Sequence, residues 1–291
     1  MIPIVFSTDH NYVMPAGVTI TSLLISAPEI NYDIYILASP DVNEEDKARL
    51  KEQVALVSPA SRISFIEMGD KFECGYEIRE ISTACYYRLM IPWLIPNVDK
   101  IIYADVDIIF KTSLKELFEI DLKENYVAGS YPNTSDGWKA MQKYFEKIGA
   151  DYKAYINSGL LVINSKLQRE QNLESRYNEL AKNNYLYQDQ DIINIVCKGR
   201  IAHFDRRFNL MPKYYGNDNK QSDCVIHYVG DKPWKTFSYA WAEWWEVYKK
   251  SIFWDASFYR AISEKILSPK EQLKSFRRKS FQKLKQILSK F

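Results

Sequence analysis

Two aspartates stand two residues apart inside one of the most apolar stretches of the chain, Asp105-Val106-Asp107 within KIIYADVDIIF (100–110). The stretch is typical of a buried strand, on which residues i and i+2 point to the same face. Two carboxylates side by side in apolar surroundings are costly unless a cation or a shared proton compensates their charge. Such oxygens favour Mg²⁺ or Mn²⁺ and usually leave positions open for phosphate. The pair therefore predicts a metal site, with a solvated strand end as the alternative if the motif stood alone.

A second cluster, HYVGDKPW (227–234), carries groups that such a site would need. The imidazole of His227 can supply a third ligand, Gly230 permits a close backbone approach, and Lys232 offers a cation for phosphate. A histidine that follows the apolar Val225-Ile226 is more often a hydrogen-bonded core residue. The combination of residue types, rather than His227 alone, indicates a site for a phosphate-bearing ligand.

These motifs need strands that end near one another. Short apolar runs alternate with helical periodicity near the start of the chain, which is typical of an α/β fold with a mostly parallel sheet flanked by helices. Ligands of open α/β sheets bind outside the carboxyl ends of the strands, where Asp9, the Asp105/Asp107 pair and Asn157-Ser158-Gly159 are expected. The predicted strands are 2–7, 33–38, 62–67, 100–110, 127–130 and 159–164. The predicted helices are 12–26, 43–57, 83–90 and 187–196, and the third of these is expected to be broken by Pro92 and Pro96.

Taken as a set, the motifs resemble those of glycosyltransferase family 8, the family of bacterial lipopolysaccharide galactosyltransferases and of glycogenin. The resemblance covers roughly Pro3 to Tyr248 and implies a Rossmann-like, nucleotide-sugar-binding domain of the GT-A type. It also implies a metal-dependent retaining transferase that moves galactose or glucose from a UDP-sugar to a glycan acceptor. The segments that carry it are FSTDHNYVMP (6–15), STACYYR (82–88), YADVDII (103–109), NSG (157–159), YQDQD (187–191) and HYVGDKPW (227–234).

For the nucleotide end of the donor, the resemblance implies a role for one residue in each motif. Asp9 would hold the uracil end, and Arg88 would contact the donor. Gly230 and Lys232 would grip the diphosphate. The implied ligands of Mn²⁺ or Mg²⁺ are Asp105, Asp107 and His227, and Asp105 is also expected to contact the donor.

For the sugar end, the resemblance implies that Asn157 touches the hexose, that Asp189 binds its hydroxyls, and that Gln190 lies beneath the anomeric carbon. Asp189 and Gln190 are thus the predicted catalytic residues. Taken alone, the acids would equally suit the start of a helix and the NSG segment an ordinary turn. Some family members carry an acid near the position of Ser130, and its absence here leaves the donor hexose open.

Retention of the anomeric configuration needs either a covalent glycosyl-enzyme or attack on the front face, guided by the leaving phosphate. Retaining glycosidases use a carboxylate as nucleophile. Gln190 is an amide and a poor nucleophile, so front-face attack is favoured, with Gln190 stabilising the oxocarbenium-like centre. The metal and Lys232 would neutralise the charge that grows on the UDP leaving group.

Composition narrows the classes of protein that the chain could represent. A net charge of +2 over 291 residues gives no field suited to nucleic acid. The four cysteines lack CxxC or zinc-like spacing, which favours reduced, mostly buried thiols and a cytosolic compartment. The first residues lack the basic start and cleavage site of a signal peptide, and no run of about 20 apolar residues exists to span a bilayer. We therefore expect a cytoplasmic protein, soluble or peripheral to the membrane.

The last residues form a separate unit in this interpretation. From Lys265 to Phe291 there are nine basic residues and one acid, Glu271, and the apolar residues beyond Leu273 fall on one helical face. That pattern is typical of an interfacial helix on anionic lipid, although a helix docked on its own domain or on a partner is the alternative. We predict a transferase domain over 1–262 and a basic amphipathic tail over 263–291. A lipid-linked or surface glycan acceptor at the inner face of the cell membrane is the expectation that follows.

Two other functions compete with this prediction. Phosphatases also use paired aspartates at a strand end, but they place the pair on the first strand rather than near residue 105. A catalytically degenerate module that binds nucleotide sugars on the same fold is the closer alternative, against which stands the presence of all three presumed ligands. The aromatic stretch 234–245 would either line an acceptor groove or pack the sheet edge.

Overall fold

The structure is a computed structural model and describes residues 1–69, 83–131, 141–215 and 223–268. Its strands are β1 (Ile2–Thr8), β2 (Tyr32–Ala38), β3 (Arg62–Glu67), β4 (Lys100–Ala104), β5 (Ile108–Phe110), β6 (Val127–Gly129), β7 (Leu160–Asn164), β8 (Ile201–His203) and β9 (Val225–His227). Its α-helices are α1 (Val13–Ser26), α2 (Glu44–Val57), α3 (Ile91–Leu94), α4 (Lys115–Glu119), α5 (Gln142–Ile148), α6 (Ser165–Glu170), α7 (Glu174–Leu180), α8 (Gln188–Val196), α9 (Trp241–Tyr248) and α10 (Ala256–Leu267).

Within the described residues, seven strands form one sheet in the order β3-β2-β1-β4-β7-β6-β8. Strand β7 pairs antiparallel with both β4 and β6, whereas the pairs among β3, β2, β1 and β4 and the pair β6–β8 are parallel. The predicted α/β class with a mostly parallel sheet is confirmed. Its carboxyl edge gathers the ends of β1 and β4 at one place, which is where the polar residues of the site lie.

The first half of the sheet follows from local sequence. In β1, Ile4 and Phe6 enter the core on one face and Val5 enters that on the other, as expected of a central strand covered on both sides. Helix α2 begins at a capping box: the Asn43 side chain accepts from the Asp46 amide (2.9 Å), and the Asp46 carboxylate accepts from the Asn43 amide (3.1 Å). The predicted N-cap at Asn43 is therefore present.

The prediction of one strand over 100–110 is wrong. Strand β4 ends at Ala104, and Asp105-Val106-Asp107 form a turn to β5, which leaves the main sheet and pairs antiparallel with β9. A ladder buried on both faces has no place for two carboxylates, whereas a turn at its end lets them face a cavity. The predicted ligands are brought together by this pairing, which sets Ile108 opposite His227, and not by the alternation of a single strand.

Contrary to the prediction, Pro92 does not break a helix. The segment Thr83–Met90 is a 3₁₀ helix, and Pro92 lies in the first turn of α3, which follows it directly. Proline is tolerated there because its missing N–H would have no partner in a helix anyway. Pro96 comes just after the end of α3, where proline commonly follows a helix.

The aromatic stretch after β9 packs into the core more than it lines a groove. Trp234, Trp244 and Trp245 are buried, and Trp244 stacks on Tyr248 with ring centroids 5.2 Å apart. Of the cysteines, Cys85, Cys197 and Cys224 are buried thiols, while Cys74 lies outside the described residues.

Most of the predicted tail also lies outside the described residues, which end at 268. Helix α10 runs to Leu267 and so crosses the proposed boundary between 262 and 263, which stays a prediction. In the described ranges, no helix combines the length and the apolar character that crossing a membrane requires.

Candidate active site

A cavity of about 600 Å³ opens where β1 and β4 end and α8 begins. Its volume lies within the range of small-molecule sites. All of the predicted metal-binding, donor-binding and catalytic residues border it: Asp9, Arg88, Asp105, Asp107, Asn157, Asp189, Gln190, His227, Gly230 and Lys232. Segments separated by more than two hundred residues along the chain thus meet at one place.

Three potential metal-binding atoms converge on one wall of this cavity. Oδ1 of Asp105 accepts from the Tyr103 hydroxyl (2.7 Å) and contacts Nη2 of Arg88 (2.9 Å), which leaves Oδ2 turned toward His227. Nε2 of His227 lies 3.6 Å from that oxygen and 3.2 Å from Oδ1 of Asp107. One oxygen of each aspartate and one imidazole nitrogen therefore form a three-atom cluster, all within 4.8 Å of one another.

Asp107 is held by a lysine on its other oxygen. The ammonium of Lys232 donates to Oδ2 of Asp107 and to the carbonyl of Tyr228 (2.8 Å). Burial alone would raise the pKa of Asp107, but the neighbouring Lys232 holds it below the ordinary value. The pKa of Lys232 is raised in turn, since the attraction of Asp107 outweighs the burial that opposes its charge. Asp107 is thus ionised and Lys232 is positively charged.

The cluster fits a cation. Nδ1 of His227 lies 2.8 Å from Oδ1 of Asn209, an oxygen that can only accept, so in the neutral ring Nδ1 carries the hydrogen and Nε2 has a lone pair. Oδ1 of Asp107 is buried, and no described residue donates a hydrogen bond to it. Two acceptors that face each other at 3.2 Å repel unless a positive charge lies between or beside them. Carboxylate oxygens with one imidazole suit a divalent cation such as Mn²⁺.

Gly159 is the residue that allows the backbone to pass this cluster. A Cβ at that position would stand 2.1 Å from Cε1 of His227 and 2.8 Å from Oδ2 of Asp105. The carbonyl of Gly159 accepts from the amide of Asp105 (2.8 Å), which fixes the two segments against each other. The NSG segment is therefore part of the wall of the ligand cluster, a role that an ordinary turn does not have.

Arg88 joins the three-atom cluster to Asp189. Its Nη2 contacts Asp105, its Nη1 donates to the carbonyl of Ser158 (2.9 Å), and its Nε donates to the carbonyl of Cys85 (2.9 Å). Burial disfavours its charge, but Asp105 and then Asp189 raise the pKa of the guanidinium above its ordinary value. The guanidinium also lies over the Tyr103 ring, 4.4 Å from the centroid.

Asp189 borders the cavity, and one oxygen of its buried carboxylate receives no hydrogen bond from the described residues. Its Oδ2 lies 3.1 Å from Nε of Arg88, but the single hydrogen on that nitrogen points to the Cys85 carbonyl, so the contact is electrostatic. Burial raises the pKa of Asp189, and Arg88 opposes the shift. The preceding residue, Gln188, has a left-handed backbone (φ 46°), a strained conformation of the kind that clusters at functional sites. Oδ2 of Asp189 is therefore a buried acceptor that has no hydrogen-bond donor among the described residues.

Gln190 is fixed at both ends of its amide. Its Oε1 accepts from Nδ2 of Asn157 (2.9 Å) and from the amide of Ser158 (3.2 Å), while its Nε2 donates to the hydroxyl of Tyr155 (3.1 Å). That hydroxyl donates to Asp191 (2.5 Å). The amide cannot turn without breaking several bonds, so its orientation toward the cavity is set by the surrounding structure.

The remaining predicted residues lie at the rim. Oδ1 of Asp9 accepts from the amide of Tyr12 (3.1 Å), so the carboxylate caps the short 3₁₀ helix His10–Tyr12 as well as bordering the cavity. Gly230 has φ 92°, which glycine adopts most readily, and it turns the chain so that Lys232 reaches Asp107. Ser130 is fully buried and does not border the cavity.

Sequence reasoning missed Asn209, Tyr155 and Tyr144, which support the predicted residues from behind. Asn209 is buried at the end of the 3₁₀ helix Arg206–Asn209 and contacts both His227 and Asn157. Tyr144 and Tyr155 both donate to Asp191. Burial raises the pKa of that carboxyl, and the two hydroxyls oppose the shift. No short motif surrounds these three residues, so only the fold could reveal them.

Comparison with known proteins gives a consistent result. The sequence model described as "Glycosyl transferase family 8" matches residues 3–238. A putative glycosyltransferase of Haemophilus influenzae is 33% identical over 219 residues, which cover 72% of this chain but only 63% of that protein's length. A lipopolysaccharide 1,2-glucosyltransferase of Escherichia coli K12 is 29% identical over 251 residues, 79% of this chain and 72% of that protein.

A solved structure agrees with the sequence matches. The galactosyltransferase LgtC, determined in complex with donor and acceptor sugar analogs, superposes with a TM-score of 0.73 at 26% identity. The match covers 88% of this chain and 99% of that one. The fold is therefore shared over nearly the whole of that chain.

Proposed function

This chain belongs to glycosyl transferase family 8, and we propose that it is a metal-dependent, retaining hexosyltransferase that moves galactose or glucose from a UDP-sugar to a glycan acceptor. The observation that carries the proposal is the cluster of Asp105 Oδ2, Asp107 Oδ1 and His227 Nε2 in the wall of the cavity. Beside it stand Lys232 for phosphate and the unmatched oxygen of Asp189 for sugar hydroxyls. Metal, diphosphate and hexose would thus bind in one cavity.

The three clustered atoms would hold Mn²⁺ in preference to Mg²⁺, because imidazole nitrogen is a poor ligand for the harder Mg²⁺. When bound, the cation supplies positive charge that stabilises the departing UDP. Lys232 would add a second positive charge beside the diphosphate, and its place between Asp107 and the Tyr228 carbonyl positions it before the donor arrives. Arg88 would hold Asp105 and Asp189 in place rather than meet the reacting atoms.

The sugar end favours attack on the front face. Oε1 of Gln190 already accepts two hydrogen bonds, which lowers the nucleophilicity of an amide that is weak to begin with. We therefore propose that the bond from the anomeric carbon to the β-phosphate oxygen breaks, and that the acceptor oxygen bonds to the same face. The acceptor proton passes to the departing phosphate oxygen. The amide dipole of Gln190 and the carboxylate of Asp189 would stabilise the oxocarbenium-like centre and the hexose hydroxyls.

The proposed hexose is either galactose or glucose. The E. coli relative is named as a glucosyltransferase and the solved structure as a galactosyltransferase, so the relatives point to both. Ser130 stands where some family members have an acid, and its buried hydroxyl donates to the Tyr131 carbonyl (3.2 Å). It offers the donor no charged group.

For the acceptor, we propose a lipopolysaccharide or another surface glycan at the cytoplasmic face of the membrane. The names of the relatives support the glycan class. The basic tail over 263–291, nearly all of it outside the described residues, supports attachment to anionic lipid. Deletion of 270–291 should release the protein from vesicles of anionic lipid while the full chain sediments with them. Equal sedimentation of both forms would contradict the attachment.

The experiment that tests the proposed function is calorimetric titration of UDP-galactose and UDP-glucose into the protein, with and without Mn²⁺. We expect one of the two to bind with Mn²⁺ and to lose affinity without it. Asp107→Ala should lose that metal-dependent binding, whereas Asp99→Ala, which removes only a surface ion pair with Arg169, should keep it. No binding of either sugar would contradict the donor class. Binding without turnover on any glycan acceptor would favour the degenerate binding module.

A further inference from the structure

A continuous series of side-chain hydrogen bonds runs from His227 to Asp191. It passes from Nδ1 of His227 to Asn209 (2.8 Å), to Asn157 (2.9 Å) and to Gln190 (2.9 Å). From Gln190 it continues to the hydroxyl of Tyr155 (3.1 Å) and ends on the carboxylate of Asp191 (2.5 Å). Its members come from β9, α8, one 3₁₀ helix and the loop before β7, and it connects a predicted metal ligand with Gln190, the residue predicted to lie beneath the anomeric carbon.

The direction of this series is fixed by groups that cannot change roles. Tyr155 donates to the Asp191 carboxyl group, so its oxygen receives the hydrogen bond of the Gln190 amide. The backbone amide of Ser158 only donates, and its contact with Oε1 of Gln190 (3.2 Å) requires the same orientation of that side chain.

The same argument fixes the orientation of the side-chain amides of Asn157 and Asn209. The backbone amide of Gly159 donates to Oδ1 of Asn157 (3.0 Å), which leaves Nδ2 of Asn157 for Gln190. Oδ1 of Asn157 therefore also accepts a hydrogen bond from Nδ2 of Asn209. The other end of the Asn209 amide, Oδ1, must then face Nδ1 of His227. Every amide in the series thus has one permitted orientation.

We propose that Asn209 is a positioning residue for the metal centre, holding His227 as the Nδ1–H tautomer so that Nε2 presents its lone pair to the cation. The neutral imidazole of histidine in water prefers the other tautomer, in which Nε2 carries the hydrogen and cannot bind a metal. A histidine ligand is commonly oriented by such an acceptor on its second nitrogen. Because Asn209 also donates to Asn157, it couples the orientation of the ring to the orientation of Gln190.

The backbone supports this role. The Leu210 amide donates to the Val225 carbonyl (2.8 Å), and the His227 amide donates to the Leu210 carbonyl (2.9 Å). The segment that carries Asn209 is therefore fastened directly to β9, the strand that carries His227. Asn209 itself is 3% exposed, so water does not compete for its hydrogen bonds.

The test rests on the proposed function only for the choice of Mn²⁺ as probe, and its first readout needs no metal. The chain has three histidines, so the imidazole ¹⁵N signals of labelled, metal-free protein can be assigned with His10→Gln and His203→Gln. We expect His227 to show the hydrogen on Nδ1 in the wild type and to shift toward Nε2–H in Asn209→Ala. Mn²⁺ affinity by calorimetry should fall about 10- to 100-fold in that variant.

Two further variants separate positioning from folding. Asn209→Asp keeps an acceptor for Nδ1–H, so it should restore the wild-type tautomer and the Mn²⁺ affinity that Asn209→Ala loses. Asn164→Ala removes an asparagine that caps α6 away from the cavity (Leu167 amide, 3.1 Å), and it should change thermal stability but neither readout. An unchanged tautomer, or unchanged Mn²⁺ affinity in Asn209→Ala, would overturn the proposal. A wild type that binds no Mn²⁺ would instead contradict the proposed function.

Discussion

The sharpest test of the ligand cluster is a single methyl group at Gly159. In Gly159→Ala the new Cβ would lie 2.1 Å from Cε1 of His227, which is 1.3 Å short of the 3.4 Å at which ordinary contact begins. The backbone of Gly159 is tied to the amide of Asp105, so the imidazole ring has to move. Metal-ligand distances tolerate errors of only about 0.2 Å, several times less than this displacement.

We therefore expect Gly159→Ala to lose Mn²⁺ affinity by a factor of at least about 100, the upper end of what removal of an outer partner costs. The free energy of unfolding should fall by only about 1–3 kcal/mol, the usual cost of overpacking one methyl group. Calorimetry with Mn²⁺ measures the first quantity and urea unfolding measures the second.

The control is Gly17→Ala, which makes the same steric demand far from the cavity. Its Cβ would meet the ring of Phe253 at 2.1 Å, the same distance from another aromatic ring. Neither Gly17 nor Phe253 borders the cavity, so this variant should lose stability and keep its Mn²⁺ affinity. If Gly159→Ala binds Mn²⁺ as tightly as Gly17→Ala does, His227 is not a ligand in the position described.

Three further predictions follow from the same contacts. Arg88→Met leaves Asp105 and Asp189 without their buried partner and should lower the free energy of unfolding by about 3–5 kcal/mol in urea; a loss below 1 kcal/mol would contradict a structural role for the guanidinium. Burial opposes the charge of Asp107, but Lys232 lowers the pKa of this carboxyl group below its ordinary value of 3.8. The ionised carboxylate therefore stabilises the fold fully at pH values above 3.8, and this stabilisation is lost as the pH falls through the lowered pKa. From about pH 5 downwards, the Asp107→Asn variant should thus lose less stability than the wild type. Gln190→Ala should keep measurable hexosyl transfer where Asp107→Ala does not, and equally complete loss in both would count against front-face attack.

Local sequence determined the first half of the sheet well. Strands β1 to β3 and helix α2 are bounded by turn residues or by a cap such as Asn43, and their core residues repeat with the period of their element. These features act within about one turn of the chain, so they are visible before any tertiary contact is known. The first five elements could be placed to within one residue for this reason.

Segment 100–110 shows where local reasoning ends. An apolar run with two acids suits one long strand, and only the pairing of β5 with β9, more than a hundred residues away, divides it. The division matters for function because it moves Asp105 and Asp107 from a strand face into a turn opposite His227. The predicted residues do meet in one cavity, but a turn and the pairing of β5 with β9 bring them together, not the alternation of a single strand.

The supporting residues illustrate a different limit. Asn209 and Tyr155 act through side-chain hydrogen bonds to groups in other segments, and neither belongs to a motif of chemically reactive residues. An asparagine at the end of a 3₁₀ helix is ordinary by its sequence context. Its importance arises only because the fold places an acceptor oxygen 2.8 Å from the imidazole of a predicted ligand.

The balance of charge along the cavity explains why metal and donor should bind together. In their ionised forms Asp105, Asp107 and Asp189 outnumber the positive groups that contact them, Arg88 and Lys232, by one. A diphosphate that approached these residues alone would meet a net negative wall, which costs free energy at a partly buried site. A divalent cation reverses the sign of that wall. Each ligand should therefore raise the affinity for the other by the same factor, because coupling between two binding equilibria is reciprocal.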